Sequence, residues 1–168
     1  MRTTGRSLAI LLFSIAFVAV GQIAVSAGDS GDEIMFQKGE VNLSPFGTYT
    51  DQAGGKWGAG AALTYYVTDK LGLGAATYWT DLGGTVFDNA EAEAYLRLPL
   101  FRVIAPYAVG SVGYQFDREY WFETLGAGLD FRPFKHIEAF SDAQYRFSNK
   151  DSASKSGAFI RVGVRFTF

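Results

Sequence analysis

The chain has 168 residues, one domain's worth, with a formal charge of −2 and no cysteine. That balance leaves no basic surface for a nucleic acid, and without thiols there is neither a disulfide framework nor a thiolate metal site. Gly, Phe and Tyr are abundant, and no 3.6-residue apolar period lasts beyond about two turns after Ala27, which excludes a helical fold.

Residues 1–27 read as a cleaved export signal. Arg2 and Arg6 precede the apolar run Leu8 to Val20, broken only by Ser14, and small residues close it at Val25-Ser26-Ala27. The run is shorter than the roughly 20 apolar residues a spanning helix requires. Its removal takes away two arginines and moves the formal charge from −2 to −4. Residues 28–39 are small and acidic (Asp29, Asp32, Glu33) and show no period; they read as a short N-terminal arm in the periplasm.

From residue 40 to the end the chain alternates. Eight segments, near 40–50, 56–68, 71–82, 90–101, 105–116, 121–131, 137–148 and 157–168, each have the length that a tilted strand needs to cross a hydrocarbon layer. The connections alternate too. Asp69-Lys70, Arg102 to Ile104 and Arg132 to His136 are tight, whereas Asp51 to Gly55, Gly83 to Asn89, Asp117 to Tyr120 and Asn149 to Ser156 form a looser set. Pro99, Pro106 and Pro133 fall beside the tight set, where a missing ladder donor costs least, while Pro45 within the first segment predicts a bulge. This is the pattern of an all-β, eight-stranded antiparallel up-and-down barrel with one tight and one loose rim.

Alternation by itself also fits a soluble, periplasmic ligand-binding barrel, so the direction of each face has to be argued. One register holds Ala92, Ala94, Leu96 and Leu98, then Leu125, Ala127, Leu129 and Phe131, then Ala139, Ala143, Tyr145 and Phe147. The other holds Glu91, Glu93, Tyr95 and Arg97, then Thr124, Gly126, Gly128 and Asp130, then Glu138, Asp142, Gln144 and Arg146. All six lysines fall in turns, loops or strand ends, and the mid-strand cations are arginines, the residue suited to enclosed ion pairs. Gly58, Gly60, Gly72, Gly74, Gly113, Gly126, Gly128 and Gly163 share the polar register, as a narrow interior would require, leaving room for Tyr95 and the arginines. Trp57, Trp79 and Trp121, with Tyr78, Phe116, Tyr120, Phe122 and Phe147, lie near the loose rim. Tyr65, Tyr66, Phe101, Tyr107, Phe131, Phe134, Phe166 and Phe168 lie near the tight one. Two such bands are expected of aromatic girdles at two membrane interfaces. The polar register therefore faces inward.

The last strand carries a more specific pattern. Ile160, Val162, Val164, Phe166 and Phe168 alternate with Arg161, Gly163, Arg165 and Thr167, and the chain closes on Phe168. This resembles the terminal strand of Gram-negative outer-membrane β-barrels, and the whole of 40–168 resembles the small eight-stranded family of the outer membrane protein A membrane domain and the OmpX-like proteins. The resemblance implies an outer-membrane location, contact with membrane lipid and lipopolysaccharide, a closing strand read by the barrel-assembly machinery, and a monomer. It also implies a structural, envelope-stabilising role or a narrow gated path for small ions. The residues themselves offer no metal-ligand cluster, and Gly58-Ala59-Gly60 lacks the rest of a dinucleotide or phosphate loop, so no cofactor is expected.

The polar register supplies the candidate site. Glu91, Glu93, Asp130, Glu138 and Asp142 face Arg97, Arg146, Arg161 and Arg165, with Arg132 at the rim. Enclosed charges persist only when paired. Counting from the tight rim predicts Arg146 and Arg161 in an upper layer with Glu91 and Glu93, and Arg97 and Arg165 in a lower one with Asp142 and Glu138. Catalysis finds less support. The single histidine, His136, lies in a tight turn, and Arg146 stands two residues before Ser148 where the outer-membrane lipid A deacylases carry a histidine before the catalytic serine. An acyl hydrolase is therefore an alternative that lacks its base.

Overall fold

The computed structural model describes residues 36–51, 55–81, 87–148 and 156–168. The export signal and most of the arm lie outside these residues. The strands are β1 (Val41–Thr50), β2 (Lys56–Tyr66), β3 (Leu71–Trp79), β4 (Asn89–Arg97), β5 (Ile104–Gln115), β6 (Tyr120–Phe134), β7 (Ile137–Ser148) and β8 (Gly157–Thr167). Each pairs antiparallel with the next and β1 pairs with β8, so the sheet closes into a barrel with no free edge.

Closure is completed at the tight rim, where Val41 and Phe168 exchange both backbone hydrogen bonds, 3.2 and 3.0 Å. Pro45 introduces no bulge. The register of β1 with β2 is continuous from Val41 to Thr50, and the ladder to β8 is interrupted at Ser44 and Pro45 but resumes at Phe46 without slipping. A proline costs that ladder a donor and nothing more. The register shift occurs instead between β6 and β7, from Phe131 to Phe134, around Pro133.

The outward face is apolar. Leu63, Leu73, Leu96, Leu125, Leu129 and Val162 are exposed around its middle. Trp57, Trp121 and Phe147 are exposed towards the loose rim, where Trp79 packs edge-on against Phe87, and Tyr65, Phe101, Phe131 and Phe134 are exposed towards the tight rim. In water such a belt would drive aggregation; against acyl chains it is the required surface, because the closed ladder already satisfies the backbone. Glu123 is the one carboxylate in the outward register of the described strands, one step below Trp121.

The girdle expectation needs correcting for five rings. Tyr66, Tyr78, Tyr107, Tyr120 and Phe122 are buried in the lumen, together with Phe46, Phe140 and Phe159. Strand parity rather than nearness to a rim decides where a ring points.

Candidate functional site in the barrel lumen

The inward register fills the lumen with three tiers of arginine, carboxylate and ring. Glycines make this possible, and the space they leave goes mainly to aromatic rings rather than to Tyr95 and the arginines alone. A Cβ at Gly128 would fall 2.5 Å from the Tyr107 ring, and one at Gly163 would fall 2.7 Å from Phe140. The rings in turn present their faces to the guanidinium groups, a favourable arrangement for a desolvated cation.

The floor, at the tight rim, is closed by residues that precede β1. The chain turns at Lys38-Gly39, and the backbone of Glu40 accepts from Tyr66 N–H at 2.9 Å. Phe36, almost fully buried, lies 4.6 Å from the Arg97 guanidinium and 4.5 Å from that of Arg132. Glu40 accepts from Arg132 at 2.7 and 3.0 Å and from Arg97 at 3.1 Å. Arg132 also reaches Glu138 at 2.8 Å, and Arg165 holds Asp130 at 2.6 Å and Glu138 at 3.2 Å. Tyr66 closes the other side of Arg97, 3.6 Å from ring centre to guanidinium. Burial raises the Glu40 carboxyl, but its hydrogen bonds from Arg132 and the nearby charges of Arg132 and Arg97 outweigh that and hold it below the ordinary carboxylate range.

The middle tier centres on Arg161. It donates to Glu93 at 2.6 Å and to Asp142 at 3.0 Å through both Nε and Nη2, and Glu91 lies 3.5 Å away. Tyr95 and Tyr107 donate to Glu93 and Asp142, each at 2.8 Å, and Ser111 donates to Glu91 at 2.8 Å. Gln144 links this tier to Thr124 by accepting at 2.7 Å while donating to Asp142 at 3.0 Å.

The top tier is built differently. Arg146 donates to the Tyr78 hydroxyl at 2.5 Å and packs 4.1 Å from the Phe122 ring, with Phe159 and Tyr78 beside it at 5.6 and 5.7 Å. Tyr78 is a further 3.5 Å from Glu91. Arg146 makes no ion pair with a carboxylate among the described residues.

The layering expected from the sequence is therefore revised. Asp142 belongs to Arg161 in the middle tier rather than to Arg97 and Arg165 below. Arg146 is held by rings and a tyrosine rather than by Glu91 and Glu93. Glu40 and Phe36, to which the sequence reading gave no part, complete the floor. Glu91, Glu93, Arg97, Asp130, Glu138, Asp142, Arg146, Arg161 and Arg165 are all buried in the lumen, and Ile160, Val162, Val164, Phe166 and Phe168 are all exposed on the outside of β8 or just beyond its end. The histidine sits apart from this. His136 Nδ1 is 3.0 Å from the Thr167 carbonyl at the tight rim, while Ser148 belongs to the loose rim.

No family model and no curated protein matches the sequence. Solved structures do. The N-terminal β-barrel domain of Pseudomonas aeruginosa OprF superposes with a TM-score of 0.65 at 15% identity, covering 79% of this chain and 99% of that one. The chain has the fold of a small outer-membrane β-barrel. A de novo designed transmembrane β-barrel superposes with a TM-score of 0.60 at 14% identity over 79% of this chain and 98% of the design. The designed barrel TMB2.3 gives 0.52 at 17% identity, covering 77% of this chain and 96% of the design. At these identities what is shared is architecture, the closed eight-stranded antiparallel barrel.

Proposed function

We propose that this protein is an envelope-stabilising component of the outer membrane whose lumen is plugged by its ion-pair network, so that it conducts small ions weakly or not at all. The observation that carries this reading is the middle tier, where Arg161, Glu93 and Asp142 span the lumen from β8 to β4 and β7 through contacts of 2.6 to 3.0 Å. Ions could pass only by separating these charges in a poorly solvated interior, which is costly when one partner is left alone. On this reading the partners are membrane lipid, lipopolysaccharide and, during biogenesis, the barrel-assembly machinery, and the protein works as a monomer.

Planar-bilayer recording tests it. The wild-type protein is expected to give little or no steady conductance, and Asp142→Ala, which removes the carboxylate held by Arg161, is expected to open a measurable one. Asp142→Ala should also lower stability by about 3 to 5 kcal/mol, the range for breaking one side of a buried pair. A large, steady, porin-like wild-type conductance would sink the plug while leaving the fold untouched.

A further inference from the structure

The middle tier contains a run of four hydrogen bonds with a carboxyl group at each end. Glu91 Oε2 lies 2.8 Å from Ser111 Oγ, which lies 2.7 Å from Thr124 Oγ1. Thr124 Oγ1 is 2.7 Å from Gln144 Oε1, and Gln144 Nε2 is 3.0 Å from Asp142 Oδ1. Every contact needs one hydrogen. Each hydroxyl supplies one and the Gln144 amide donates on one side only, so the three side chains between the carboxyls bring three hydrogens to four contacts. Turning the amide over does not help, because its oxygen would then face Asp142. An ionised Glu91 would have to take the Ser111 hydrogen, which the contact with Thr124 already claims. A proton on one of the two end carboxyls therefore has to make the fourth bond.

The surroundings decide which end carries it. Asp142 receives Arg161 through both Nε and Nη2, at 3.0 Å, and the Tyr107 hydroxyl at 2.8 Å, which together favour the anion. Glu91 is the weakly held member of the trio around Arg161. Its Oε1 is 3.5 Å from Nη1 and accepts no hydrogen bond, while Glu93, the like charge two residues along β4, takes that nitrogen at 2.6 Å. Tyr78 on β3 is 3.5 Å from Glu91 Oε2 and already receives Arg146 from β7, and the side chains that β1 and β2 bury in the lumen are uncharged. A buried carboxylate without a direct partner is costly, whereas the neutral acid pairs with Ser111 and leaves only a carbonyl oxygen idle. Charge counting agrees. Among the described residues the barrel buries seven carboxyl groups and five arginines. Asp88 is set apart at the loose rim with Gln115 and Asn89, and with Glu91 neutral the remaining five carboxylates match the five arginines.

We infer that Glu91 is a proton-binding site in the middle tier: it is held as the neutral acid, donates from Oε2 to Ser111, and heads a chain that runs in one direction to Asp142. Losing the proton would break the chain at its first contact and leave three anions around Arg161, so the middle tier is a part of the lumen that answers to pH. This does not depend on whether the tier blocks conduction, since it concerns where the hydrogens sit.

Neutron diffraction from crystals of the deuterated wild-type protein reads those hydrogens directly. Deuterium is expected on Glu91 Oε2, with the Ser111 deuterium directed at Thr124. A Ser111 deuterium directed at a bare Glu91 carboxylate would overturn the inference. In solution, folding of the wild type into phosphatidylcholine vesicles should take up one proton more than folding of Glu91→Gln, whose amide can donate to Ser111 in place of the acid. Between about pH 5 and 6, above the ordinary glutamate pKa of about 4.3, the wild-type folding equilibrium should therefore fall about tenfold more per pH unit than that of the variant. Parallel pH dependences would also overturn it. Should Glu91→Gln fail to fold, the neutron result decides alone.

Discussion

Arg161 and Arg146 show what a single residue meets inside this barrel. Both are guanidiniums in the inward register, but one is neutralised by Asp142 and Glu93 and the other is wrapped by Phe122, Phe159 and Tyr78. Their difference was not legible from residue type. It depends on which side chains share a height, and height depends on register. Glu40 makes the same point at the floor: a lone acid before the first strand gave no signal in the sequence, because its partners Arg97 and Arg132 are brought to it only by closure of the barrel. The Glu40 carboxyl is held below the ordinary range, so the stability it contributes is present above the usual glutamate pKa of about 4.3 and is lost as pH falls through its lowered folded-state value. Acid titration of unfolding should therefore show a component in the wild type below about pH 4 that is missing in Glu40→Gln. Identical acid profiles for the two proteins would remove Glu40 from the floor's energetics.

At the scale of the element, β7 and β8 show how far a pattern reaches and where it stops. Parity assigned Glu138, Asp142, Arg161 and Arg165 to one face, and all four are in the lumen. Counting from the chain end, with Ile137 set opposite Phe168, would place Asp142 beside Gly163 and nearer Arg165. The observed partner of Ile137 is Phe166, which sets Asp142 directly opposite Arg161 and Glu138 opposite Arg165. The slip is two residues, so faces are kept and heights change. Its cause lies beyond the hairpin: Phe168 is drawn past the end of β7 to pair with Val41, and the neighbouring Thr167 N–H bonds to the His136 carbonyl at 3.0 Å. Three predictions belong to this strand and the residue that follows it. Val162 is exposed at the middle of β8, so Val162→Arg should cost about 2 to 4 kcal/mol in a bilayer-based unfolding equilibrium. Gly163→Arg should instead act by crowding, since even a Cβ there would approach Phe140 at 2.7 Å and Phe46 at 2.8 Å. Deleting Phe168 should lower the yield of folded barrel in the membrane fraction while export continues, because it removes both the closing aromatic and the Val41 pairing. An unchanged yield would take the assembly role away from this residue.

For the molecule as a whole, the arrangement of the lumen has a mechanical consequence. A single-layer ring of eight strands is a hoop, stiff along its ladders but easily flattened, since bending at each seam changes no hydrogen-bond count. The Arg161 contacts join β8 to β4 on the far side and to β7 beside it, and the Glu40 contacts join the segment before β1 to β4 and β6. These act as spokes at two heights. A hoop with crossing spokes resists becoming oval, so lateral pressure from the bilayer is carried through the ion pairs as well as around the wall. Cutting the middle spokes with Asp142→Ala and Glu93→Ala together should let the cross-section breathe, which distance distributions between spin labels at Leu96 and Val162, on opposite walls, would register as broadening. The same labels in the wild-type barrel should give one narrow distance in thin and thick bilayers alike.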